Sequence, residues 1–401
     1  ANNTPNTTSG GVNTLGYYNT GSSTTGSLNG RMDQVRIFNK AISAAEVTTL
    51  YNEVQCADTI ATPESYFNTV LFTPTTSTSA LPVTGVGFSP GLAWAKYRGT
   101  GSGASTQSHY WVDTVRGINS RIFSNSSSAE STTNYVQSFD LDGITYVNNL
   151  FNRTGANSVV GWFWKAGSSN VTNNDGSITS TVSASPESGF SIVKWVSDGG
   201  SSISTKGHGL NKSLSFAIVK SLDSSSIWMI FQKDLPQNKY IQFSSDGLSP
   251  DGGTTYFSTT STTLGFRDGS NSSSGDDMIA YCFHDVAGYQ RSGTFVGNGE
   301  TTGPYIYTGF EPAWIMIKRT DAAGAWNIFD NKRNSTNPRN SILQAAKSDQ
   351  EYTNTNYNFN FYTNGFQSLN TNNDWNANGG NYIFLAMAAN PDTSAPTKAN
   401  S

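Results

Sequence analysis

Ionisable side chains are scarce in this 401-residue chain. Asp, Glu, Lys and Arg together make up 13%, and 24 basic against 28 acidic residues leave a formal charge of −4. About a quarter is usual for a soluble domain. So few cations exclude a broad basic face, and with it nucleic acid as a partner. Cysteine is nearly absent. Cys56 and Cys282 lie far apart in sequence, which excludes a disulfide scaffold and a cysteine-rich zinc site. His109, His208 and His284 are the only histidines, too few and too dispersed for a zinc cluster. No apolar run reaches 18 residues, so no membrane-spanning helix or membrane insertion is expected.

Aromatic residues, by contrast, reach 12%, with 22 Phe, 18 Tyr and 9 Trp. Disordered chains are poor in such residues. Low charge, abundant Ser, Thr, Asn and Gly, and many aromatics together predict an all-β protein with hydroxyl and amide side chains outward. The length suggests two to four domains. The first residue is Ala1, so the chain reads as a processed product or a segment of a longer polypeptide.

Residues 1–27 are almost all Asn, Thr, Ser and Gly and read as loop or irregular edge strand. Met32–Phe38 reads as a strand. Ser43 followed by Glu46 is a capping box, and Val47, Leu50, Tyr51 and Val54 share one face of a short helix. The run Gly30-Arg31-Met32-Asp33-Gln34-Val35-Arg36-Ile37-Phe38-Asn39-Lys40-Ala41-Ile42-Ser43 resembles the C-terminal end of the laminin-G-like, concanavalin-type jelly roll. That resemblance implies an incomplete sandwich over 1–56, completed by another segment or docked on the rest of the chain.

Beyond residue 60 the sequence repeats three times. Phe88–Lys96 matches Phe310–Lys318, and Leu214–Lys220 is a middle copy. Each unit opens with a strand at Phe67, Phe190 or about Tyr289–Val296. Each closes with an apolar strand containing Trp162, Tyr281 or Leu385. Aligning Asp113, Gln232 and Asp330 puts His109, Trp228 and Trp326 four residues earlier in each copy, so His109 reads as a packing residue. A repeat of this length predicts tandem related modules, here β-sandwiches of jelly-roll type. The expected boundaries are 57–188, 189–288 and 289–391, with 392–401 a tail. In Val160–Trp164 both faces are expected to be covered, making Trp162 and Trp164 core residues. In 356–362 the aromatics Tyr357, Phe359 and Phe361 alternate with Asn356, Asn358 and Asn360, as in a half-buried strand.

The wording of the repeats, including GVGFSP (85–90), VDTVRG (112–117), NNDGSITSTVSA (173–184), GPYIYTGF (303–310) and FDNKRN (329–334), resembles a family of phage structural proteins found in tailed phages. The resemblance covers about 60–391. It implies a virion component, a tail fibre, receptor-binding or decoration protein, and no catalytic residues. The expected place is the virion surface, or otherwise the cell exterior. The expected partners are host cell-surface polysaccharide, other virion proteins and further copies of the chain, with a trimer as the family-level expectation. Low surface charge also favours self-association.

Chemistry-bearing patterns are few. No Gly-x-Ser-x-Gly elbow occurs, and the acidic residues are scattered rather than paired as glycoside hydrolysis requires. Asp140-Leu141-Asp142 precedes Gly143 and reads as a turn. Asn173–Ser177 and Gly275–Asp277 offer partial calcium ligands but also read as turns; no other cofactor is expected. Asp113-Thr114-Val115-Arg116 and Asp330-Asn331-Lys332-Arg333 read as loop-fixing ion pairs in preference to anion sites. The candidate ligand residues are Trp375, Asp374, Tyr352, Tyr357 and Asn358, where flat aromatic faces adjoin hydrogen-bonding groups as a saccharide requires. Four functions fit: a non-enzymatic virion attachment protein that binds host glycans, a purely structural fibre or capsid-decorating protein, a secreted bacterial adhesin or filament subunit, and a polysaccharide depolymerase. The first is the expectation.

Overall fold

The structure, a computed structural model, describes residues 41–43, 60, 62–74, 80–99, 107–147, 151, 158–243, 254–354 and 356–389, with the backbone of strands Tyr17–Asn19 and Thr24–Ser27. The chain forms two compact units, Ala1–Ala57 and Asp58–Ser401. In the first, the two short strands pair antiparallel. The strand expected at Met32–Phe38, the helix expected after Ser43, and Cys56 lie outside the described residues.

The second unit is nearly all β, and its named strands pair antiparallel; one isolated bridge, Ile178 with Lys206, is parallel. Each repeat contributes one large and one small sheet. In the large sheets the opening strands (Phe67–Phe72, Phe190–Val196, Gln290–Val296) pair with the closing strands (Val159–Trp164, Asp277–Phe283, Asn381–Met387). These pair in turn with the lysine strands (Leu92–Tyr97, Phe216–Ser221, Trp314–Arg319), and those with a fourth strand (Tyr110–Asp113, Met229–Gln232, Asn327–Asp330). The registers coincide residue for residue. Leu92 sits between Trp164 and Asp113, Phe216 between Phe283 and Gln232, and Trp314 between Met387 and Asp330. The three-stranded sheets also correspond: Val83 opposite Ile144, Lys206 opposite Leu264, Ile306 opposite Phe366.

The period of two sorts side chains between two cores. On the first closing strand Val160, Trp162 and Trp164 face the unit's centre, while Val159 and Phe163 lie under the small sheet. On the second, Ile279, Tyr281 and Phe283 face the centre, and Met278, Ala280 and Cys282 the small sheet. The central cluster draws on all three repeats: Trp94, Trp111 and Trp164 meet Phe243, Trp228 and Trp314 at ring-centroid distances of 5.4–6.4 Å. The repeats are therefore not independent tandem domains. Three sheets share one aromatic core, and the threefold arrangement lies inside a single chain.

One boundary also shifts. Val171–Asn173 and Ser180–Ser185, expected to end the first repeat, pair with each other and with the second repeat's opening strand. The first repeat's closing strand ends at Trp164, and the chain beyond it is long enough to form a hairpin that covers the next opening edge. Between the second and third repeats only 284–289 separate closing from opening strand. There the edge is guarded differently: Asp285 Oδ1 accepts the Ser292 backbone N–H (2.8 Å). In the first repeat Asn68 Oδ1 does the same for Thr69 (2.9 Å). Unpaired N–H groups on an edge invite association, and a local acceptor removes that invitation.

Candidate functional site

The polar motifs tie the repeats together. Asp113 Oδ1 accepts the backbone N–H groups of Val115 (3.0 Å) and Arg116 (2.9 Å), while Oδ2 takes the Arg116 Nε–H (2.5 Å). Tyr281 of the second repeat donates its hydroxyl to the same oxygen (2.8 Å). Asp330 repeats the arrangement with Lys332 and Arg333, and there the outside donor is Trp162 Nε1 of the first repeat (3.1 Å). In the second repeat the pair is absent: Gln232 replaces Asp and Leu235 stands at the Arg position. Gln232 donates to Ser292 Oγ of the third repeat (3.3 Å). At the closing-strand position of Trp162 and Tyr281 the third repeat has Leu385, which has no hydrogen to offer a carboxylate. These motifs are buried structural ties rather than anion sites.

A second ring runs beside the first. Trp228 Nε1 donates to the Phe123 (3.0 Å) and Ser126 (2.9 Å) carbonyls, and Trp326 Nε1 to the Gln242 carbonyl (2.9 Å). His109, the third member, accepts from Trp94 Nε1 through Nδ1 (2.8 Å) and faces the backbone of Gln344 and Lys347. Burial, with Lys96 nearby, holds its imidazole neutral, well below the usual range. His208 is pushed down to about 4, chiefly by burial, and lies near the Thr260 carbonyl. His284 lies between the carbonyls of Asp285 and Pro186. Cys282 is fully buried and its thiol is pushed up by desolvation.

The turn readings hold. Asp142 accepts the N–H groups of Gly85 (3.0 Å) and Gly87 (2.6 Å), and Asp140 the hydroxyls of Ser138 (2.6 Å) and Thr145 (2.7 Å). Asn173 Oδ1 caps the Asp175 N–H (2.8 Å), and Asp276 Oδ2 takes the Ser224 hydroxyl (2.5 Å) and Ser273 N–H (2.9 Å). Among the described residues no three His, Cys, Asp or Glu side chains gather as a metal site would require.

Four of the five candidate ligand residues meet in one place. Tyr352, Tyr357, Asp374 and Trp375, with Asn327, Ile342, Gln344, Lys347, Asp349 and Asn372, line a depression of about 230 Å³ on the third repeat. Tyr352 lies on a two-residue strand, Tyr352–Thr353, added outside Ser341–Gln344. It is 43% exposed. Burial, then Asp349, holds its phenol above the ordinary value. Asp374 and Trp375 sit on the four-residue helix Asn373–Asn376, whose cap Asn372 accepts the Asp374 N–H (2.8 Å).

Of the two places a loop tryptophan can take, exposed or tucked beneath the loop, Trp375 takes the second. It is 1% exposed, and Nε1 donates to Asn370 Oδ1 (2.8 Å). Its ring packs against Phe329, Tyr357 and Phe359 at centroid distances of 5.5–5.7 Å. It forms floor, and Tyr352 is the exposed aromatic. Asn358 is half-buried and stands outside the lining. Its carbonyl accepts from Leu369 N (2.8 Å) and Asn370 Nδ2 (3.0 Å). Gln344 and Asn327, joined by a 3.1 Å hydrogen bond, carry no signal in the sequence. Gln344 ends a four-residue strand and belongs to no motif. The hollow is smaller than the roughly 300–1,000 Å³ that encloses a drug-sized ligand. It suits one face or one end of a ligand, held by an aromatic ring, two carboxylates, an ammonium and amides.

Neither the curated proteins nor the solved structures yield a match to this chain. A family model does match residues 62–391, the three repeats and their shared core, and the chain therefore belongs to the family described as a domain of unknown function, DUF7483.

Proposed function

We propose that this chain is a non-catalytic attachment protein of a virion surface or tail fibre, and that it holds host-surface polysaccharide in shallow sites. The observation that carries the reading is the depression around Tyr352. It gathers an exposed aromatic face, Asp349, Asp374, Lys347 and amide side chains, the mixture a saccharide's apolar face and hydroxyl rim require. So small a hollow gives a weak single contact, and useful affinity comes from many copies bound at once. The resemblance to phage structural proteins supplies the setting.

A purely structural role is the second reading. It is favoured by the burial of Trp375 and by the use of the repeated polar motifs as ties between repeats. The test is binding of the full chain, clustered on beads, to polysaccharides from candidate hosts, beside Tyr352→Ala. Stacking of this kind is worth about 1 kcal/mol, so the variant should bind roughly fivefold more weakly while keeping its circular dichroism. No binding by the clustered wild-type protein would leave the structural role. Release of reducing ends would turn the reading toward a depolymerase.

A further inference from the structure

The first and third repeats show what the fold needs where the strand Ser204–Gly207 crosses the second repeat's small sheet. Val83, Lys206 and Ile306 occupy one register position. Two apolar side chains satisfy it; the third is a lysine with no exposed surface. Its Nζ lies 2.6 Å from Oδ1 of Asp268, whose side chain is equally buried. Apolar residues commonly replace a buried pair at no loss of stability, and the sister repeats carry apolar residues here. Packing alone does not account for Lys206 and Asp268.

The two carboxylate oxygens have different surroundings. Lys206 Nζ donates to Oδ1, and also to Ser204 Oγ (2.8 Å), the Ser204 carbonyl (3.2 Å) and the Phe266 carbonyl (3.3 Å). Oδ2 receives the Asp198 backbone N–H (3.2 Å) and the Trp195 indole N–H (3.2 Å), which also reaches Oδ1 at 3.3 Å. The rings of Trp195 and Phe266, 5.0 and 5.8 Å from Nζ, wall off the pair. One oxygen thus faces an amine. The other faces two fixed N–H donors, as an acyl oxygen does where charge develops on it. Desolvation pushes Lys206 down and Asp268 up, each opposed by its partner, so both groups are drawn toward their neutral forms.

We propose that Lys206 and Asp268 condense within the folded chain into an amide cross-link. A proton passes from Nζ to Oδ1, leaving a neutral amine beside a neutral acid. Nζ attacks Cγ, and the new N–C bond forms while the Trp195 and Asp198 N–H groups hold the charge on Oδ2. The Cγ–Oδ1 bond then breaks. Oδ1 leaves as water with two of the three ammonium hydrogens, and the third remains on the amide. The step needs no oxidant and no cofactor. It ties the strand Ser204–Gly207 to the turn after Thr263–Phe266, joining residues 62 positions apart in the chain. A permanent tie of that length restricts the unfolded chain.

Intact-mass measurement of the full chain tests this directly. The folded protein should weigh about 18 Da less than its sequence, one water. After trypsin, the segments around Lys206 and Asp268 should appear as one species, uncut at Lys206. Lys206→Met should restore the full mass, and Asp268→Asn should lose about 17 Da, as ammonia leaves instead. Trp195→Phe, lacking one donor, should slow the mass change roughly tenfold or more. Folded wild-type protein that keeps its full mass after prolonged incubation overturns the cross-link. An unchanged rate in Trp195→Phe overturns the role given to that donor.

Discussion

Converting the third repeat's ion pair into the second repeat's chemistry isolates what that pair does. Asp330 Oδ1 holds the N–H groups of Lys332 (3.1 Å) and Arg333 (2.8 Å), and Oδ2 holds Arg333 Nε (2.5 Å) and Trp162 Nε1 (3.1 Å). Neither ionic side chain has exposed surface. Asp330→Gln leaves the guanidinium in place with Glu351 (3.1 Å) and the Ile328 carbonyl (2.8 Å). Removing one partner of a buried pair costs about 3–5 kcal/mol, mostly from the charge left behind. Gln232 and Leu235 show that the fold accepts a neutral pair at these positions. The double variant Asp330→Gln, Arg333→Leu should therefore recover about 2 kcal/mol or more of that loss, a coupling readable from a double-mutant cycle. Glu351 keeps Arg98 (2.8 Å) as its partner in the double variant. The assay is equilibrium urea unfolding followed by tryptophan fluorescence, with m-values compared across the four proteins. A double variant no more stable than Asp330→Gln would refute the claim that the cost lies in the stranded charge.

The buried lysines at the repeated position should tilt stability with pH. Burial lowers Lys96 and Lys220 from an ordinary 10.5 to about 8, so the folded chain binds fewer protons than the unfolded one between those values, and stability should rise from pH 8 toward 10.5. Lys220→Met should flatten that rise relative to the wild type, and an unchanged slope in urea midpoints would contradict it. Asp285 caps the Ser292 N–H with Oδ1 and pairs with Lys233 through Oδ2 (2.5 Å); Asp285→Ala should bare the third opening edge and raise self-association with concentration in light scattering. Cys282 should resist a thiol reagent until the chain is unfolded, since burial both shields it and keeps it protonated.

Much of the fold is legible in the sequence because repetition supplies its own alignment. Asp113, Gln232 and Asp330, aligned by spacing, prove to be register partners of Leu92, Phe216 and Trp314. Covered faces at Trp162 and Trp164 follow from period two with aromatics on both sides. The hairpin at 171–185 is assigned to the wrong repeat by sequence because pairing is non-local: its Ser- and Thr-rich strands carry no mark of which sheet they join. Trp375 is left open by the sequence for a related reason. Its neighbours Asn372, Asp374 and Asn376 read as a solvated loop, but Asn370 satisfies the indole N–H from five residues away, and a four-residue helix is too short to show a period. The shared core leaves no trace in the sequence, since an inward aromatic looks the same whether it faces its own sandwich or two others.

A threefold ring made from one chain differs in consequence from a ring of three identical chains. Symmetry would force every polar contact to occur three times. Here Asp113 meets a tyrosine hydroxyl, Asp330 an indole and Gln232 a serine, so each junction has its own chemistry. The same freedom lets the third repeat build its depression where Tyr352–Thr353 extends the sheet. In the first repeat the same place holds a single bridge, Arg121 with Ser131, so a serine stands where the third repeat has Tyr352. If that hollow binds glycan, a single site of its size is weak. Several chains held together would supply avidity, so the attachment reading predicts assembly of the chain with copies of itself.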